Sequence, residues 1–356
     1  MSYSQDLSRL VSPSAPGISR SAIKRFMLRP LTDPAYLSQI VMEPQISQNK
    51  VVGSIQEIWR QMGNASSAYQ ACVSAINTIG SISRQDVSLS SRVAVTLQIS
   101  LAQIAMHLSR NFSRQVLLDV LRQEYAHLRR DAKEDTEKRI GMALCLIVII
   151  QICIQDRVPG IVDSLVASGQ GILDDSQLPK SVSIRLKFFM AKHLLFLDDF
   201  ENARSDLLTA FNAMNPSIHV RNREIVLMKL LPLQLSQGLF PNRNLLRQFP
   251  NVSERYLAVL KAVKRKDVKA VRTLLGSDET FFYLTRRIEL WVYRGILKEV
   301  FALSKRRIDL DVLDELFSGD SSEEIVANLI QLNLITGYIS YEERALMLTG
   351  SNPFPV

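Results

Sequence analysis

Along most of this chain, apolar residues recur at the spacing of one helix face. Val93, Leu97, Leu101, Ile104 and Leu108 step by four, four, three and four, which lines a single stripe. Leu117, Leu121, Tyr125 and Leu128 repeat the pattern. From Thr136 to Ile154 the sequence is apolar nearly all round after a charged first turn. Such a helix is expected to lie between neighbours. Short separators at Asn111, Pro159–Gly160 and Gly169 to Pro179 predict antiparallel helix pairs.

One pair is more specific. Met190, Ala191, Leu194, Ala203, Leu207 and Ala210 have tetratricopeptide spacing, with small residues where two helices touch. No second clear copy exists, so the repeats are degenerate. The last third changes character. A long helix is predicted over Thr280–Leu303 and a short one over Leu310–Phe317. Ser321 and Glu324 form a capping-box pattern that opens a third, read as Ser322–Thr336. Gly337 is placed to end it in a left-handed cap. Two short apolar segments follow, Tyr338–Tyr341 and Ala345–Leu348, with a turn at Glu342-Glu343. Three helices followed by two strands predict a winged helix. The expected organisation is a flexible extension over 1–48, helical repeats over 49–250, and a C-terminal part over 251–356 with the winged helix at about 279–350.

Composition supports an all-α reading. Only 14 glycines and 13 prolines interrupt 356 residues. Three cysteines, Cys72, Cys145 and Cys153, make no disulfide framework and fit a reducing compartment. The opening residues contain no apolar core of a secretory signal. The most apolar run, Met142–Ile154, is shorter than the ~20 residues that span a bilayer. A buried helix is expected there, with no membrane insertion.

The net charge of +8 is divided unevenly. Residues 255–307 carry fourteen bases against five acids, and residues 308–356 one base against nine acids. A sequence-reading winged helix brings Arg, Lys, Asn or Gln to base edges. The corresponding helix here has no base and opens with Glu323 and Glu324, which argues against base-specific DNA reading. The bases upstream are better placed. Lys261, Lys264, Arg265, Lys266, Lys269 and Arg272 lie across a helix break near Lys266-Asp267, and Arg286, Arg287, Lys305, Arg306 and Arg307 are candidates to converge on it. Such a patch holds phosphates without reading sequence. A solvated helix face is the competing reading, and both stay open at the level of sequence.

No catalytic constellation is present. His107, His127, His193 and His219 are scattered, and Cys145 and Cys153 share one apolar helix. Asp174-Asp175 and Asp198-Asp199 stand where N-caps are expected. No enzyme activity, metal or cofactor is expected.

Three segments resemble a known family. LMKLLPLQLSQGLFPNRNLL (Leu227–Leu246), IVANLIQLNLITGYIS (Ile325–Ser340) and the tail Asn352-Pro353-Phe354-Pro355 are similar to motifs of PCI-domain proteins, in which helical repeats end in a winged helix. The branch is that of the PCI subunit of transcription-and-export complex two, with its signalosome-related paralogue. The resemblance covers roughly residues 180–356. It implies a non-catalytic scaffold subunit of a nuclear mRNA-export complex, located in the nucleus and at the pore, with some in the cytoplasm. It also implies three partners: a second PCI-type scaffold subunit, a small acidic disordered subunit, and RNA or single-stranded nucleic acid. Tyr338, Tyr341, Leu346 and Leu348 are the candidates for the partner-binding edge. The alternative is a structural subunit of a signalosome-like or splicing-associated complex without a nucleic-acid role.

Overall fold

A computed structural model describes residues 64–85, 114–173, 178–276, 282–304, 306–317 and 319–355, with scattered residues between 53 and 61 and between 98 and 106. The extension expected over 1–48 lies outside the described residues, as do Val93, Leu97, Ile104, Leu108 and Asp174-Asp175. The fold is all-α with one small sheet, and it divides into two compact units, Met1–Ala213 and Met214–Val356.

The first unit contains α1 (Ala65–Gln85), α2 (Gln115–Asp131), α3 (Thr136–Asp156), α4 (Gly160–Ser168), α5 (Lys180–Phe196) and α6 (Phe200–Ala213). Helix α3 starts at Asp135, whose carboxylate accepts from the amides of Glu137 (2.8 Å) and Lys138 (3.3 Å). That cap satisfies two of the amides a helix start leaves unpaired. With 21 residues, α3 is long and apolar enough to cross a membrane by length and composition, longer than the apolar run alone suggests. Its surroundings are protein. The helix packs between α2 and α5, and Met142, Ala143 and Ile147 to Ile150 are fully buried. Leu117, Leu121, Tyr125 and Leu128 of α2 face the same core. Burying each such side chain contributes about 1.5–3 kcal/mol, so this packing is the main stabilising term of the unit. At the α5–α6 contact, Ala191, Ala203, Leu207 and Ala210 are all fully buried. Small residues let the two helices approach, as the repeat spacing predicts.

The second unit begins with α7 (Val220–Ser236), α8 (Arg243–Arg247), α9 (Pro250–Arg265), α10 (Val268–Gly276) and α11 (Phe282–Ser304). Pro232 lies inside α7. Proline has no amide to offer the carbonyl four residues back, which here belongs to Met228. The Tyr256 hydroxyl of α9 donates to that carbonyl at 2.9 Å and fills the vacancy. Gly238, with φ +75°, turns the chain after α7, and a Cβ there would stand 2.5 Å from the Trp291 ring. Trp291 in turn donates to Ser236 O at 2.9 Å. The Pro and Gly of the Leu227–Leu246 segment therefore have structural work in docking α7 on α9 and α11.

The winged helix follows: β1 (Arg307–Asp309), α12 (Leu310–Leu316), α13 (Ser322–Gln331), β2 (Gly337–Ser340) and β3 (Ala345–Leu348). Its sheet runs β1-β3-β2, with Ile308 opposite Leu346 and Ile339 opposite Leu346 on the other side. Strand β1 has only three residues, too few to show a period, and was not anticipated. The Ser321 side chain accepts from Glu324 N, as the capping pattern predicts.

Two expectations here need correction. Helix α13 stops at Gln331 instead of Thr336, and the left-handed residue beyond it is Asn333 (φ 55°), not Gly337. Asparagine tolerates that conformation because its short polar side chain bonds locally. Gly337 is needed for another reason: a Cβ there would stand 2.4 Å from Met347 O across the β2–β3 pair.

The tail is part of this unit. Arg294 of α11 donates to Leu334 O (2.8 Å) and Pro355 O (2.7 Å). Its guanidinium lies over the rings of Trp291 (4.9 Å) and Phe354 (5.8 Å). Phe354 is buried edge-on to Phe301, and Pro353 O accepts from Thr336 N at 2.8 Å.

Candidate nucleic-acid interface

The break between α9 and α10 gathers the first group of bases. Lys266 takes a left-handed conformation (φ 59°), which ends α9, and the Asp267 side chain accepts from Ala270 N at the start of α10. Lys261, Lys264 and Arg265 are three and four residues apart on α9, hence on one face. All three are exposed, as is Lys269 on the first turn of α10. None of the four forms an ion pair among the described residues.

Most of the remaining bases are already engaged. Lys266 pairs with Glu299, and its stem lies along Gly295, where a Cβ would be 3.4 Å away. Arg272 holds Glu289 through two bonds of 3.0 Å and reaches Asp320 at 3.1 Å. Arg286 reaches Glu324 at 2.8 Å and Glu289 at 3.5 Å. Arg307 pairs with Asp309 (3.3 Å) and Glu343 (3.2 Å) on the wing side. Arg287 is half-buried and engaged, Arg306 is exposed on the loop before β1, and Lys305 lies outside the described residues.

These contacts form a network whose centre is Glu289, only 3% exposed on α11. Two arginines from different helices neutralise it, as a buried carboxylate requires. Hydrogen bonds to Glu289 and then to Asp320 raise the pKa of Arg272. The Tyr293 hydroxyl donates to Asp320 and, with Arg272, holds that carboxyl below the usual aspartate range. Burial pushes the Tyr293 hydroxyl up, and the Asp320 charge adds to it. Nothing in the spacing of Arg272, Glu289 and Asp320 announces this network; their approach is purely tertiary.

The network changes the meaning of the charge division. Arg272–Asp320, Arg286–Glu324 and Arg307–Glu343 join the basic segment to the acidic one. Much of the opposition between them is internal pairing. The outward-facing remainder on α9 and α10 is Lys261, Lys264, Arg265 and Lys269.

The candidate partner edge also divides. Tyr338 and Tyr341 are 54% and 73% exposed. Leu346 and Leu348 are buried in the core of the winged helix with Ile308, Ile325 and Ile335, so they leave the candidate set. Strand β3 is the central strand, and Leu346 and Leu348 share one core with residues of α12 and α13, which is why its apolar side chains are spent internally.

Among the described residues no cluster of His, Cys, Asp and Glu is arranged for a metal. Burial raises the thiol of Cys72 to about 12 and that of Cys153 to about 11, and raises Cys145 still further. Those cysteines are inert core residues. Asp199 accepts from Asn202 N at 3.2 Å at the start of α6, the capping role expected of it.

No family model matches the chain. It is similar to several curated proteins. PCI domain-containing protein 2 homolog of Drosophila melanogaster is 27% identical over 241 residues, 64% of this chain and 60% of that protein. PCI domain-containing protein 2 of Xenopus laevis is 28% identical over 187 residues, 48% of this chain and 46% of that protein. Protein CSN12 homolog of Schizosaccharomyces pombe is 25% identical over 199 residues, 51% of this chain and 47% of that protein. The chain spans about half the length of the curated relatives it matches. Together with the winged helix that closes the second unit, these relatives support the PCI branch.

Proposed function

We propose that this chain is a non-catalytic PCI scaffold subunit that contributes a sequence-independent nucleic-acid surface to a nuclear mRNA-export complex. Lys261, Lys264, Arg265 and Lys269 hold backbone phosphates. The wing, with Tyr338 and Tyr341, meets a second PCI-type subunit, and a small acidic subunit is the third partner. The nucleus, including the pore, is the proposed location. The observation that supports this reading best is that the four bases around the α9–α10 turn point outward and have no acidic partner among the described residues, while Lys266, Arg272 and Arg286 beside them are paired. The acidic first turn of α13 favours backbone contact over base reading.

Binding through four phosphates to a single strand carries a slope of log affinity on log salt of about −3. Changing Lys261, Lys264, Arg265 and Lys269 to Glu is expected to lower RNA affinity at least tenfold, on the order of 1.4 kcal/mol, and to flatten the slope. Unchanged affinity across a salt titration would overturn the nucleic-acid part of the proposal. A second reading, a signalosome-like structural subunit, is favoured by the ion pairs that consume Arg272, Arg286 and Arg307. Purification of the chain from its own cells separates the two. Co-recovery of RNA and pore proteins supports export, and signalosome or splicing subunits without RNA support the structural role.

A further inference from the structure

The first unit carries a second feature with the same chemistry, which the charge count did not single out. Helix α5 contains Lys180, Arg185, Lys187, Lys192 and His193 and no carboxylate. Two of these are directed to acids on neighbouring helices: Lys187 to Asp206 of α6 (3.0 Å) and His193 to Asp163 of α4 (2.7 Å). Arg185, Phe189, Lys192 and Phe196 are spaced four, three and four apart, which confines them to an arc of about 60° on one face. Bases and aromatics therefore alternate along that face, with Phe189 packed against the core of the unit and Phe196 at the surface. Lys192 Nζ sits 5.5 Å from the Phe189 ring centroid, and Phe188 meets Phe189 edge-on at 5.3 Å. Phe196, 36% exposed, ends the stripe, with Leu197 beside it at 41%.

Arg185 is the unusual member. It is exposed, yet it has no hydrogen-bond or ion-pair partner among the described residues. Enough protein surrounds its guanidinium to hold the pKa below the usual arginine range, with burial as the cause. An exposed guanidinium with no acidic partner among the described residues is free to take an anionic one from outside the chain.

We propose that the Arg185–Phe189–Lys192–Phe196 face of α5 is a binding site for single-stranded nucleic acid. Arg185 and Lys192 engage successive phosphates, and the exposed Phe196 ring stacks a base. Alternation of aromatic and basic side chains favours a single strand over an acidic peptide, because each base offers a ring face and each phosphate a charge. The inference rests on the nucleic-acid reading above and adds a locus in the other unit that prefers unpaired bases.

The test uses the full chain and fluorescence anisotropy with a short labelled single-stranded RNA and a duplex of the same sequence. Phe196→Ala is expected to weaken single-strand binding about fivefold or more and leave duplex binding unchanged, the mark of lost stacking. Arg185→Gln is expected to weaken both. Photo-crosslinking of thiouridine-containing RNA to the unaltered chain is expected to label peptides of α5, a readout that does not depend on how a variant folds. If Arg185→Gln and Phe196→Ala bind normally while charge reversal of the α9–α10 bases abolishes binding, the α5 site is refuted and the function above stands. If neither set matters, both fall. An acidic peptide that binds α5 while RNA yields no α5 crosslink would also overturn the site.

Discussion

Arg294 is the residue on which the C-terminal tail most depends, and replacing it tests how the winged helix is held. Its guanidinium makes two bonds to carbonyls, at 2.8 Å to Leu334 and 2.7 Å to Pro355, and stacks on Trp291 and Phe354. Burial lowers its pKa, and no carboxylate pairs with it among the described residues, so carbonyls and ring faces are its compensation there. Bonds from a charged donor contribute about 1.5–3 kcal/mol each, and a cation over a ring about 0.5–1 kcal/mol. The Pro355 end is partly open to solvent, which discounts one bond. Arg294→Ala is therefore expected to cost about 3 kcal/mol. Phe354→Ala removes a ring that is 5% exposed and should cost about 3–4 kcal/mol. Because both changes release the same tail, the double variant should fall short of their sum by at least about 1 kcal/mol. Urea unfolding followed by Trp291 fluorescence, in a Trp59→Phe background, reads this unit alone. An Arg294→Ala midpoint shift equivalent to under about 0.5 kcal/mol, or strict additivity, would refute the clamp.

Gly337→Ala forces a Cβ to within 2.4 Å of the Met347 carbonyl, which belongs to backbone and cannot swing aside. A loss of about 2 kcal/mol is expected in thermal unfolding, and an unchanged melting temperature would show that the β2–β3 approach tolerates a side chain. Asp320 supplies a pH dependence. Its carboxyl is held below the ~3.9 of a free aspartate by the Tyr293 hydroxyl and Arg272. Its contribution is therefore complete above about pH 4 and disappears as the pH falls through the folded value. Between about pH 4 and 2 the unaltered chain should lose stability more steeply than Asp320→Asn; parallel acid limbs would contradict the assignment.

Several elements were legible in the residues because their signal is local. The stripe Leu117, Leu121, Tyr125 and Leu128, the capping pair Ser321 and Glu324, and the small-residue contact of Ala191, Ala203 and Ala210 all depend on neighbours within one or two turns. Gly337 misled for the opposite reason. A glycine after a helix fits a left-handed cap, but what it answers to is a strand that the chain reaches ten residues later, at Met347. Leu346 and Leu348 misled similarly, since exposure of a strand depends on which side the helices cover.

By itself the sequence determined the helical character of the chain, the closing winged helix and the acidic start of α13, because periodicity, caps and charge are properties of short segments. Tertiary structure alone decided which charges are available. Arg272 meets Glu289 and Asp320, Arg286 meets Glu324 and Arg307 meets Glu343 across long stretches of sequence, and only folding supplies those arginines with their acids. Coulomb energy depends on distance and on the surrounding medium, and neither can be read from residue order. Of a segment counted as strongly basic, Lys261, Lys264, Arg265 and Lys269 stay exposed together around one turn, with Lys298 and Arg306 exposed elsewhere, while a helix in the other unit keeps Arg185 without an acidic partner among the described residues.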